Sequence, residues 1–160
     1  MAKITPTISF TSNSESVTNN PGPGSVSVSA SITDSLNVDL MEQQLIETTT
    51  AKTMLLDGST VGGGTETPAT VGCYIFLKNN SSTTNENIYI GIVAGGGSDD
   101  PTAPADSGTT ALDEATNATL RTFTLLPGEF AWFPFDYTGD IYYESATGTP
   151  ALEYWRWEKS

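Results

Sequence analysis

The stretch that decides the fold is Leu120–Leu126 (LRTFTLL), Pro127-Gly128, Phe130–Phe135 (FAWFPF), Ile141–Glu144 (IYYE) and Leu152–Trp157 (LEYWRW). Each run is short, aromatic or aliphatic, and bounded by Pro, Gly, Asp or Thr, the composition of strands separated by turns. Leu126-Pro127-Gly128-Glu129 has proline and then glycine at the two central positions, as a type II turn requires. Phe130, Trp132 and Pro134 share one face of their strand, and Ala131, Phe133 and Phe135 share the other. In the last run Tyr154 and Arg156 alternate with Trp155 and Trp157. One face of each strand must be core. The other then exposes large aromatics, the mark of an interface.

The same pattern extends backwards. Val26, Val28, Ala30 and Ile32 alternate with serines. Leu36, Val38 and Leu40 repeat the alternation after Asp34-Ser35, which predicts a hairpin. Met41–Ile46 has room for one helical turn, but Thr48-Thr49-Thr50 favours strand. Val71–Lys78 is nearly continuous in apolar residues and reads as a central strand buried on both faces. Ile88, Ile90 and Ile92 alternate once more. Between these runs lie Gly62-Gly63-Gly64 and the long Gly95–Asp113 loop. The expected fold is all-β: an antiparallel, jelly-roll-like β-sandwich of about eight to nine strands with little or no helix. Residues 1–24, which end in Pro21-Gly22-Pro23-Gly24, form an N-terminal arm or edge strand, and 25–160 form a single sandwich domain.

Composition narrows the function. The chain has 160 residues, a formal net charge of −13, no histidine, one cysteine and only 16% charged residues. Such acidity gives no electrostatic reason to bind nucleic acid or an anionic membrane. Without histidine there is no Ser-His-Asp triad, Cys-His pair or histidine-ligated zinc. Nineteen acids make chance carboxylate pairs common, and no motif singles out a catalytic pair. Asp99, Asp100 and Asp106 match no calcium-loop spacing and read as an exposed acidic loop. Cys73 sits beside Tyr74-Ile75-Phe76-Leu77 and reads as a small buried hydrophobe. No leader-like apolar segment and no run of about 20 apolar residues is present in the sequence given. We expect no enzyme, no cofactor and no metal. The candidate interface residues are Phe10, Phe130, Trp132, Trp155 and Trp157.

Several segments together resemble a known group. Cys73–Asn79 (CYIFLKN), Asn87–Val93 (NIYIGIV), Leu126–Phe135 (LPGEFAWFPF) and the closing Tyr142–Ala146 and Leu152–Trp155 follow the order seen in small β-sandwich virion proteins of tailed bacteriophages. Those of marine and cyanobacterial phages are the nearest in style. The resemblance spans residues 71–157. It implies a structural virion protein, a decoration or cement protein that oligomerises, with trimers favoured, and grips the major capsid protein on the outer surface of the capsid after synthesis in the host cytoplasm. The alternative it implies is a tail or fibre component that recognises host glycans.

Overall fold

The computed structural model describes residues 2–5, 7–11, 27–31, 36–58, 72–93, 121–135 and 139–159. The chain divides into two compact units, Met1–Val38 and Asp39–Ser160. In the first, β2 (Thr7–Thr11) pairs antiparallel with β3 (Ser27–Ser31), and β1 (Ala2–Ile4) pairs with the opening residues of β4 (Leu36–Glu47). The predicted hairpin between β3 and β4 is therefore not the pairing that forms. β3 takes its partner from upstream, and β4 is drawn into the large sheet of the second unit. The whole of Met41–Ile46 is strand, as the β-branched residues after it favour.

The second unit holds β4 from Asp39 onward, β5 (Thr53–Leu56), β6 (Cys73–Asn79), β7 (Ile88–Val93), β8 (Phe123–Leu125), β9 (Phe130–Phe135), β10 (Asp140–Ser145) and β11 (Ala151–Lys159). One antiparallel sheet runs β4-β11-β6-β9 and the other β5-β10-β7-β8. First pairs with last, second with second-last, third with third-last, and the two middle strands with each other. Successive pairs fall in alternate sheets. A long hairpin rolled up on itself gives this order, the eight-stranded jelly roll.

Period-two alternation places the core between the sheets. In β6, Cys73, Ile75, Leu77 and Asn79 are buried, while Tyr74, Phe76 and Lys78 are only half-buried. The strand is central, as expected, but it is buried on one face and not on both. The polar Lys78 belongs to the outer set, and the aromatics beside it cover that face only in part. Ile88, Ile90 and Ile141 from the facing sheet and Leu152 from the neighbouring β11 complete the core with no exposure. Each such aliphatic side chain contributes on the order of 1.5–3 kcal/mol of burial free energy.

The Pro127-Gly128 turn forms as the sequence requires. Glu129 N–H donates to the Leu126 carbonyl at 2.9 Å, and Gly128 has φ +82°, the left-handed value that glycine adopts without strain.

Tyr154 fills the core at 1% exposure, and its hydroxyl has no hydrogen-bond partner among the described residues. Burial pushes its phenol well above the ordinary tyrosine range. Tyr154→Phe keeps the ring and removes the orphaned hydroxyl. We expect it to raise stability by about 1 kcal/mol in urea denaturation.

Candidate functional site: an aromatic plate on the outer sheet face

The register of three adjacent strands builds one surface. Trp157 lies opposite Tyr74, which lies opposite Pro134. Trp155 lies opposite Phe76, which lies opposite Trp132. Glu153 lies opposite Lys78, which lies opposite Phe130. Residues directly across antiparallel strands share a face, so all nine point away from the core. Inner-face residues of the same strands confirm the sense: Leu152, Tyr154, Ile75, Leu77 and Phe135 belong to the core cluster, and Ala131 and Phe133 pack against it.

Six aromatic rings occupy this plate, and they stack in pairs. Tyr74 and Trp132 lie 4.8 Å apart at 7°, Trp155 and Trp157 5.7 Å apart at 12°, and Phe76 and Phe130 5.9 Å apart at 27°. Each pair adds about 0.5–1.5 kcal/mol beyond its buried area. Mutual packing leaves five of the rings half-buried and Phe130 54% exposed. The neighbouring β4 extends the apolar surface. Ile46 packs on the core, so alternation turns Met41 and Leu45 outward, where they are 59% and 69% exposed.

Charge is confined to the rim. Glu153 accepts hydrogen bonds from the Trp155 indole Nε1–H at 2.8 Å and from Asn80 Nδ2 at 3.1 Å. These donors, the indole first, hold its carboxyl below the ordinary glutamate value against the opposing effect of burial, and Lys78 adds to them. A carboxylate with a depressed folded pKa contributes stability that is present above the ordinary range, about 4.3, and is lost as pH falls through the lower folded value. Acid should therefore release the Trp155 indole. We expect tryptophan emission to change on this acid limb, and Glu153→Gln to flatten it.

The short loops at one end of the roll fix the plate's outer corner. Asn79 is fully buried at the end of β6. Its Nδ2 donates to the Glu86 carbonyl at 2.8 Å and to the Leu125 carbonyl at 3.1 Å, and its Oδ1 accepts from Ser81 N–H at 3.0 Å. Its own N–H donates to the Glu129 carbonyl at 3.0 Å, and its carbonyl accepts from Gly128 N–H at 2.9 Å. The side chain thus ties the β6–β7 connection to the end of β8, and the main chain of the same residue holds the β8–β9 turn. Thr48 does the same between β4 and β11, donating its backbone N–H and its hydroxyl to the Pro150 carbonyl at 3.0 and 2.7 Å.

Of the residues singled out from sequence, Phe130, Trp132, Trp155 and Trp157 come together on the plate. Phe10 stands in β2 opposite Val28, in the other unit. The Gly95–Asp113 loop with Asp99, Asp100 and Asp106, and the Gly62–Gly64 loop, lie outside the described residues. Sequence reading missed Tyr74, Phe76, Met41 and Leu45 as members of the surface. Tyr74 and Phe76 alternate with Cys73, Ile75 and Leu77, and that alternation was the available signal. Cys73 is buried, as expected.

The opposite sheet has a different character. All six residues of β10 are buried, including Asp140, Tyr142 and Glu144, which alternate with the core residues Ile141 and Tyr143. Asp140 accepts from Gly58 N–H at 3.0 Å, Lys52 lies over the Tyr142 ring at 4.7 Å, and Arg121 lies over the Tyr89 ring at 4.6 Å. Cations cover aromatic rings here, whereas on the first sheet rings stack on rings and face outward.

Comparison with protein-family models, curated proteins and solved structures finds no match for this chain.

Proposed function

We propose that this chain is a non-enzymatic structural protein of a phage particle, a decoration or cement protein that self-associates and binds the major capsid protein on the outer surface of the capsid lattice. The observation that carries the reading is the outer face of the β4-β11-β6-β9 sheet, where six stacked rings, Met41 and Leu45 form one apolar surface with charge only at its rim. The eight-stranded jelly roll supports it by analogy, since viral capsid domains are among its users. Net charge of −13 supports an outward position, away from packaged nucleic acid, and favours a partner with a basic rim.

Four strands spaced by ~4.8 Å and about five residues along each give a plate of roughly 300 Å². A standard interface buries ~800 Å² per partner. A single plate therefore makes a weak contact, and repetition on a lattice supplies the avidity. The stacked geometry also favours a protein partner over a glycan. A sugar docks on a ring face, and each of these rings already has one face against its neighbour.

The test is co-sedimentation of the purified chain with decoration-free capsids, set beside a glycan array. Saturable capsid binding with a blank array supports decoration. Array binding without capsid binding supports the tail or fibre alternative.

A further inference from the structure

Three of the sheet edges in the second unit are guarded against strand addition. The edge strand β9 carries Pro134, which has no N–H to offer, and the edge strands β5 and β8 are only four and three residues long. β4 differs. It is twelve residues long, and β1 pairs only with Leu36, Asn37 and Val38. Among the described residues no strand lies along the outer edge of Asp39–Glu47. This same stretch holds Met41 and Leu45, the two most exposed large hydrophobic side chains among the described residues.

The sequence of the open edge is symmetric in residue type about Gln43. Leu40-Met41-Glu42 precedes it and Gln44-Leu45-Ile46 follows it, so apolar, apolar, polar is mirrored as polar, apolar, apolar. About a two-fold axis at Gln43 this pattern sets apolar residues opposite apolar ones and polar opposite polar, so the segment is complementary to a second copy of itself. We propose that two copies of the chain pair antiparallel along β4, edge to edge, about a two-fold axis at Gln43.

In that register Met41 stands across from Leu45 of the second copy, Glu42 across from Gln44 of the second copy, and Gln43 across from itself. Directly opposed residues share a face, so the Met41–Leu45 pairs form on the outer side, twice per dimer. The open N–H and C=O groups of the edge find partners, which is the usual source of affinity in strand addition. The axis runs through the sheet, so both aromatic plates end on the same side of one continuous eight-stranded sheet. Two weak plates become one bivalent surface. The pairing stands independently of the particle assignment, and it yields dimers in place of the trimers that the resemblance implies.

Sedimentation equilibrium of the full chain tests it, with far-UV circular dichroism to confirm that each variant is folded. The wild type should approach twice its 16.9 kDa mass as concentration rises. The double variant Met41→Lys/Leu45→Lys places like charges across both pairs and should remain monomeric. Met41→Lys/Leu45→Glu places opposite charges across both pairs and should dimerise about tenfold or more tightly than the Lys/Lys variant. A wild type that stays monomeric up to about 100 µM, well above the ~1 µM Kd of a modest complex, overturns the proposal. So does a Lys/Glu variant that associates no better than Lys/Lys. A monomer that still co-sediments with capsids would refute the edge pairing and leave the decoration reading intact.

Discussion

Alanine at position 79 is expected to destabilise the fold by about 3–4 kcal/mol, the largest stability loss anticipated for a polar residue here. Asn79 has no solvent exposure, and its side chain makes three hydrogen bonds, all to main chain. Removing it leaves the Glu86 and Leu125 carbonyls and the Ser81 N–H without those partners. An unsatisfied buried group costs roughly 1–3 kcal/mol, and partial access of water at the loop end brings the sum down from its upper bound. For a chain of this size the change corresponds to a Tm lowered by about 10 °C in calorimetry. Asn79→Asp should be nearly as damaging, because a carboxylate cannot donate to two carbonyls and carries a charge into a buried site. If Asn79→Ala melted within about 2 °C of wild type, the claim that this one amide fastens the β6–β7 connection to the end of β8 would be wrong.

The second large effect concerns binding. Trp132→Ala removes the ring of the edge strand β9 that stacks on Tyr74 and lies across from Phe76 in the sheet register. All three tryptophans face outward and are half-buried, so the stability cost is about 1–2 kcal/mol, below the ~3–5 kcal/mol of a tryptophan removed from a closed core. Binding should suffer more. A tryptophan anchor in an interface costs about 2 kcal/mol or more when truncated, which is roughly a 30-fold or greater loss of capsid affinity. Trp132→Phe retains a ring that stacks and should restore much of it. Unchanged co-sedimentation of a folded Trp132→Ala protein would show that the plate is not the contact.

Alternation was the strongest signal in the sequence, and it located most of the strands. It also separated Phe130, Trp132 and Pro134 from Ala131, Phe133 and Phe135, and the structure keeps that division. The Pro127-Gly128 turn was legible because only glycine accepts φ +82° without strain. Two readings failed, each for its own reason. Val71–Lys78 looked buried on both faces because Tyr74 and Phe76 are as apolar as Ile75 and Leu77, and polarity cannot distinguish a ring facing a core from a ring facing another ring. The β3–β4 hairpin looked right because adjacent strands joined by a turn usually pair. β4 is instead paired with β11, more than a hundred residues away in sequence.

What the sequence alone determined is local: strand period, turn chemistry, a scaffold lacking histidine and an acidic surface with few cations. These follow from residue types within a few positions of one another. Only the tertiary structure decided which strands are neighbours, because a jelly roll pairs its first strand with its last and so on inward. That long-range register brings Tyr74, Trp132, Trp155 and Trp157 from three distant segments onto one face. No local rule could assemble them, since the free energy that selects the register comes from burying the opposite side of the same three strands.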